Sequence, residues 1–281
     1  MIRELLILKL SRLLPLKELR SVASSEHRIS KKYNLLKKNV SESVKEEAEL
    51  ILKECEALNI NVVPFYNDAY SKKLKTISNP PVLLFAKGDI NLLNKPSFSI
   101  VGTRDADIKA CEWTKEFVSN SPSNKVIVSG GAIGIDISAH KAALESNKST
   151  ICVLGSGINN IYPLINKPII EEIFDKGLVI SEVPPNERVD RYKLLDRNRI
   201  TSGLSDSILI VASREKGGTM KQCDVAVSQK RKIVCPNPKL NLTPQEGILK
   251  ILDKGIATVI DEANDQKSQE NTYQSELLMY N

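Results

Sequence analysis

The segment Ser129 to Asp136, SGGAIGID, follows an apolar run (KVIV, 125–128) and precedes a helical pattern. Glycines without Cβ let backbone N–H groups approach an oxyanion, and a helix starting behind them offers its unpaired amides. Ser129 would add a hydroxyl donor. The turn Ser129, Gly130, Gly131, Ala132 therefore has the chemistry of a phosphate cradle that needs no cation of its own. Two other apolar runs end in glycine turns: FSIV in Gly102-Thr103-Arg104, and TICVL in Gly155-Ser156-Gly157. The Arg104 guanidinium, just past a strand end, can fork onto a phosphate. Lys141, on the helix behind SGGAIGID, would reach the same anion. One such turn is equally a ligand-free strand-to-helix connection; three on one sheet edge, one bearing an arginine, favour anion binding. Asp196-Arg197-Asn198-Arg199-Ile200 sets two guanidiniums and an amide before another apolar run. It reads either as a solvated loop or as a second set of phosphate contacts.

The spacing G-G-x-x-G is not the dinucleotide pattern G-x-G-x-x-G. The next strand ends in Gly155, where a ribose-binding Asp or Glu is expected, and no G-x-x-x-x-G-K-[ST] sequence occurs. Asp136 and His140 stand i, i+4 on a helix expected to open at Ile133. They could form an acid–base pair, or more ordinarily a mutually hydrogen-bonded pair fixing the loop. No nucleophile, base and orienting group suggest themselves together, so catalysis is not the expected role. With His27 and His140 the only histidines, and Cys55, Cys111, Cys152, Cys223 and Cys235 scattered without a C-x-x-C pair, neither a metal site nor a disulfide framework is expected. No cofactor is implied. Unpaired cysteines point to the cytoplasm.

The elements that must position these residues fall into two regimes. Residues 1–59 read as a small helical domain. Val44, Ala48, Ile51, Cys55 and Leu58 make an apolar helical stripe, and the N-terminal IRELLILKLSRLLPLKEL reads as an amphipathic helix, since Lys9 and Arg12 interrupt it well short of the roughly 20 apolar residues of a membrane span. From residue 60 to about 264, short Val/Ile/Leu runs alternate with helical stretches: VLLFA (82–86), FSIVG (98–102), KVIVSG (125–130), TICVLG (150–155), LVISE (178–182), SILIVA (207–212) and KIVC (232–235). Nearly continuous apolar runs mark parallel strands buried on both faces. The expected fold is α/β, a doubly wound, mostly parallel, Rossmann-like sheet. Residues 265–281 read as a polar tail. With 40 Lys+Arg against 34 Asp+Glu the formal charge is +6, which favours polyanionic partners without requiring one.

Beyond these readings, the series GTR (102–104), SGGAIGIDISAHKAAL (129–144), TICVLGSGINNIYP (150–163), ISEVPP (180–185) and DRNRITSGLSDSILIV (196–211), approached through NPPVLLFAKGDINLLNKPSFSIVGTR (79–104), resembles the DNA-processing protein A (DprA/Smf) family over about residues 60–260. The resemblance implies an extended Rossmann-like domain behind a small helical one. It further implies binding of single-stranded DNA, dimerisation through the Rossmann domain, and hand-over of the strand to the recombinase RecA in natural transformation; from the interrupted N-terminal run, no membrane partner is expected. It carries the anion pocket onto Arg104, Ser129, Gly130, Gly131, Lys141, Arg197 and Arg199, and the glycine turn onto Gly155 and Gly157. Four positions depart from the family's pattern. Leu194-Leu195 stand for Phe-Pro, Asp105-Ala106-Asp107 for a Ser/Thr after the GxR turn, GGTMKQC (217–223) for a Ser-Gly-rich segment and CPNP (235–238) for A-V-P-G. The winged-helix tail of some members has no counterpart. Two alternatives stay open: a phosphoribohydrolase-like enzyme on mononucleotides, for which Gly217-Gly218-Thr219 lacks the preceding proline and following acid, and a nucleotide-sensing module.

Overall fold

The computed structural model describes residues 1–260. Four helices lead: α1 (Ile2–Ser11), α2 (Leu16–Val22), α3 (Glu26–Leu36) and α4 (Glu42–Ala57). The stripe expected in α4 buries Ala48, Ile51 and Cys55. By contrast, α1 is not amphipathic. Leu5, Leu6, Ile7 and Leu8 are all fully buried, because α1 is enclosed by α3 and α4 on one side and by sheet residues such as Leu83 and Phe85 on the other. A helix that is apolar all round must be covered all round. The N-terminal helices and the first strands thus share one hydrophobic core.

The strands are β1 (Asn61–Pro64), β2 (Leu83–Gly88), β3 (Ser97–Val101), β4 (Val126–Ser129), β5 (Thr150–Leu154), β6 (Leu178–Ser181), β7 (Ser207–Ile210), β8 (Lys232–Pro236) and β9 (Thr258–Ile260). They form one sheet in the order β1-β2-β6-β5-β4-β3-β7-β8-β9. Every pairing from β6 to β9 is parallel, and β2 is antiparallel to both β1 and β6. The remaining helices are α5 (Lys72–Lys75), α6 (Ile108–Asn120), α7 (Ile135–Glu145), α8 (Lys167–Lys176), α9 (Arg191–Asp196), α10 (Asn198–Leu204), α11 (Gly218–Ser228) and α12 (Glu246–Asp253). The expected doubly wound, Rossmann-like fold is what forms.

Strand alternation explains the two-sided cover. Phe98, Ile100 and Ile127 pack with Phe117 of α6 and Ala139 of α7. Val126, Val128, Ile151 and Val153 face the other way, against Leu74 of α5 and Ile200 and Leu204 of α10. For the site, the decisive feature is around β3. It pairs with β4 on one side and β7 on the other, so the connections leaving the two strands diverge to opposite faces. A crevice opens there at their carboxyl ends. Among the described residues no helix is long and apolar enough to cross a membrane. The tail expected over 265–281 lies outside the described residues.

Candidate nucleic-acid interface

At this switch point lies a cleft of about 380 Å³. One wall is the β3 exit, with Gly102, Thr103 and Arg104. The floor includes Ala132 and Asp136, and the other walls are the α9–α10 segment and the loop from β7 into α11. An adjoining groove continues past Arg104 along Tyr162, Arg191, Leu194 and Lys221.

The glycine turn does not present its amides to this cleft as its sequence leads one to expect. Gly130 N–H donates to Asp136 Oδ2 at 3.1 Å, and the amides of Ala132 and Gly102 stabilise the same carboxylate. Asp136 is almost fully buried. Burial pushes its carboxyl above the usual carboxylate range, against the opposing pull of Arg197 and these amides. The anion gripped by the turn is therefore the protein's own.

Arg197 completes the arrangement. It is 9% exposed, and its guanidinium lies so directly over Gly130 that a Cβ there would fall 1.4 Å from Nη1. Nη1 donates to Thr201 Oγ1 at a long 3.4 Å, and Nε has no partner. Burial lowers the Arg197 pKa against the opposing field of Asp136, and Arg104 lowers it further. Arg104 is exposed and, among the described residues, makes no ion pair. Two guanidiniums near each other in one cleft, with one carboxylate beneath, leave a net positive site suited to an oxyanion.

The rim carries a second internal carboxylate. Asp105 accepts from the Thr103 hydroxyl at Oδ1. At Oδ2 it accepts from Arg214 Nε at 2.8 Å and from Arg214 Nη2. Thr103 and then Arg214 hold this carboxyl below its usual range.

Of the residues expected to bind phosphate, Gly102, Thr103, Arg104, Gly130, Ala132, Arg197 and Asn198 come together around the cleft and the small pocket beside it. Several others do not. The Ser129 hydroxyl is fully buried and donates to the Ile100 carbonyl at 2.6 Å, because strand alternation turns it into the core. Arg199 is paired with Glu182, at 2.5 Å, with Asp196 3.3 Å away, and although its Nε and Nη1 are buried without hydrogen-bond partners it lies outside the cleft lining. Lys141 is exposed on α7, outside the cleft lining. Gly155 permits close packing against Leu194, whose Cα a Cβ would meet at 3.1 Å, and Gly157 against the carbonyl of Pro185 at 2.0 Å. Gly131, at φ +69°, is the left-handed residue that turns the chain, and its carbonyl accepts from Asn166 Nδ2 at 3.0 Å.

The helix behind the turn opens at Ile135, not Ile133, and Asp136 and His140 do not pair. His140 Nδ1 instead contacts Thr150 Oγ1 at 2.8 Å inside the core, and burial lowers its pKa to about 3. Sequence reasoning did not place Ser213, Arg214, Lys216 and Gln222 at the site, and weighed Gly217 and Gly218 only as an imperfect phosphoribohydrolase signature, yet all six line the cleft. The signal was present, since SILIVAS runs into KGG as the other strands run into glycine turns. Among the described residues no group of three or more His, Cys, Asp or Glu side chains is arranged to hold a metal.

Comparison with known proteins places this architecture among others. Residues 61–271 match the family model for DNA recombination-mediator protein A. DNA processing protein DprA of Streptococcus pneumoniae is 34% identical over 167 residues, 59% of each chain. The matched segments of that relative and of the Smf protein of Borreliella burgdorferi span 59% and 49% of their lengths. The X-ray structure of the pneumococcal protein superposes with a TM-score of 0.74 at 24% identity, covering 95% of this chain and 93% of that one. DNA processing protein A from Helicobacter pylori, whose structure concerns its mode of binding single-stranded DNA, has a TM-score of 0.65 at 29% identity, covering 77% and 97%.

Proposed function

This chain belongs to the DNA recombination-mediator protein A family, and from that premise we propose that the β3–β7 cleft holds the backbone of single-stranded DNA without chemical change to it. The observation that carries the reading is Arg197: a buried guanidinium with an unpartnered Nε, beside an unpaired Arg104, at the base of an open cleft. A buried charge left partly unsatisfied is costly, and a phosphate arriving between the two arginines would offset that cost at Arg197 while pairing with the exposed Arg104. The helicobacterial relative, a single-strand binder, supports the same ligand class. Since aromatic residues make up only 5% of the chain, backbone phosphates rather than stacked bases supply most of the grip.

We extend the reading to the setting the family suggests: a homodimer in the cytoplasm that delivers the strand to a RecA-type recombinase. The test begins with fluorescent oligo-dT titrated against wild type and Arg104→Ala over a salt series. The variant should bind about tenfold more weakly, with a salt slope shallower by about 0.7, the share of one single-strand phosphate contact. Equal affinities would remove the cleft from the binding path. AMP in the same assay addresses the rival nucleotide enzyme, and release of adenine would overturn the non-catalytic reading.

A further inference from the structure

We propose that Asp105 is an intramolecular competitor of the bound anion, a carboxylate latch across the mouth of the cleft that a phosphate must displace. The inference rests on the single-strand reading above and adds a restraint to it. Thr103 and Arg214 both line the cleft, one from the β3 exit and one from the β7 exit. Each is a donor an oxyanion would use. Both are occupied by a single side chain: Asp105 takes the Thr103 hydroxyl on one oxygen and the Arg214 guanidinium on the other. The carboxylate thus makes contacts a bound phosphate would make, and it is a side-chain tie between two loops already joined by the Thr103 N–H donating to the Ala212 carbonyl at 2.9 Å. The pair is solvent-exposed, at 49% for Asp105 and 64% for Arg214. An exposed ion pair is weak, so this latch slows or discounts binding rather than forbidding it.

Removing the charge while keeping the shape frees Arg214 for the ligand. Oligo-dT affinity of Asp105→Asn should rise about two- to fivefold at low salt, with a salt slope steeper by about 0.7 because one more cation meets a phosphate. Loss of negative charge alone also favours a polyanion, and the Arg214→Ala background separates the two effects. With Arg214 absent, the gain from Asp105→Asn should shrink to the small share that charge removal alone gives. A gain of equal size in both backgrounds would reduce Asp105 to simple repulsion and overturn the latch, as would unchanged affinity in the single variant. Failure of wild type and all variants to bind oligo-dT would sink the single-strand reading itself, and the latch with it.

Discussion

Asp136 decides what the glycine turn can do. An isolated nest of amides attracts whatever anion is nearest, and here a carboxylate six residues along the chain fills it before any ligand arrives. On the proposed reading, phosphate binding falls to side chains, Arg104 and Arg197, and not to the backbone, a division the sequence did not mark. Ser129 and Arg199 show the limit of spacing as evidence. Residue type predicts what a group can bind, but strand alternation and a neighbouring Glu182 decide what it does bind.

His140 gives a test of the buried region. Its folded pKa of about 3 lies below its ordinary 6.5, so the unfolded chain takes up a proton that the folded one refuses. The stabilisation is complete above pH ~6.5 and is lost as pH falls, at about 1.4 kcal/mol per pH unit until the folded value is reached. Urea denaturation at successive pH values should show that slope, and a His140→Gln variant should flatten it. An identical slope in the variant would assign the acid sensitivity elsewhere.

At the scale of elements, most of the sheet was legible because a parallel strand covered on both faces has a near-continuous apolar signature. Six parallel strands from FSIV to KIVC, and β2 before them, fall where that signature occurs. β1 was not legible: it has four residues, begins with Asn61 and ends with Pro64, and gains its place only by pairing with β2. The character of α1 was also hidden, since Lys9 and Arg12 suggest a wet face. In fact the Lys9 ammonium reaches inward to the Glu182 carbonyl at 2.5 Å. Glu182 is the tie between elements, receiving Lys9 of α1 on its carbonyl and Arg199 of α10 on its carboxylate. Arg199→Ala should therefore lower stability by about 2–3 kcal/mol, because it strands Glu182 half-buried without its partner. Its effect on oligo-dT affinity should stay well below that of Arg104→Ala, since Arg199 lies outside the cleft. A loss of affinity matching Arg104→Ala with stability intact would return Arg199 to the binding surface.

At the scale of the whole molecule, the helices of residues 1–57 and the sheet bury one another's apolar faces. The chain should unfold in one cooperative step, with Trp113 fluorescence and far-UV circular dichroism giving coincident urea transitions. Trp113 sits in the sheet core against Phe117, remote from α1, so separate midpoints would mean that the N-terminal helices melt alone. The pairing of β3 with β7 has one more consequence, for the order in which the protein comes into being. The Asp105–Arg214 contact closes an interval of 109 residues, and the cleft cannot exist until β7 has been synthesised and has slotted beside β3. Contacts so distant along the chain form late in folding. A growing polypeptide leaves the ribosome surrounded by RNA, and during most of that passage it has arginines but no site. On the proposed reading, nucleic-acid binding arises only after Arg214 has been made and brought back to Asp105, so it belongs to the finished sheet and to no single segment of it.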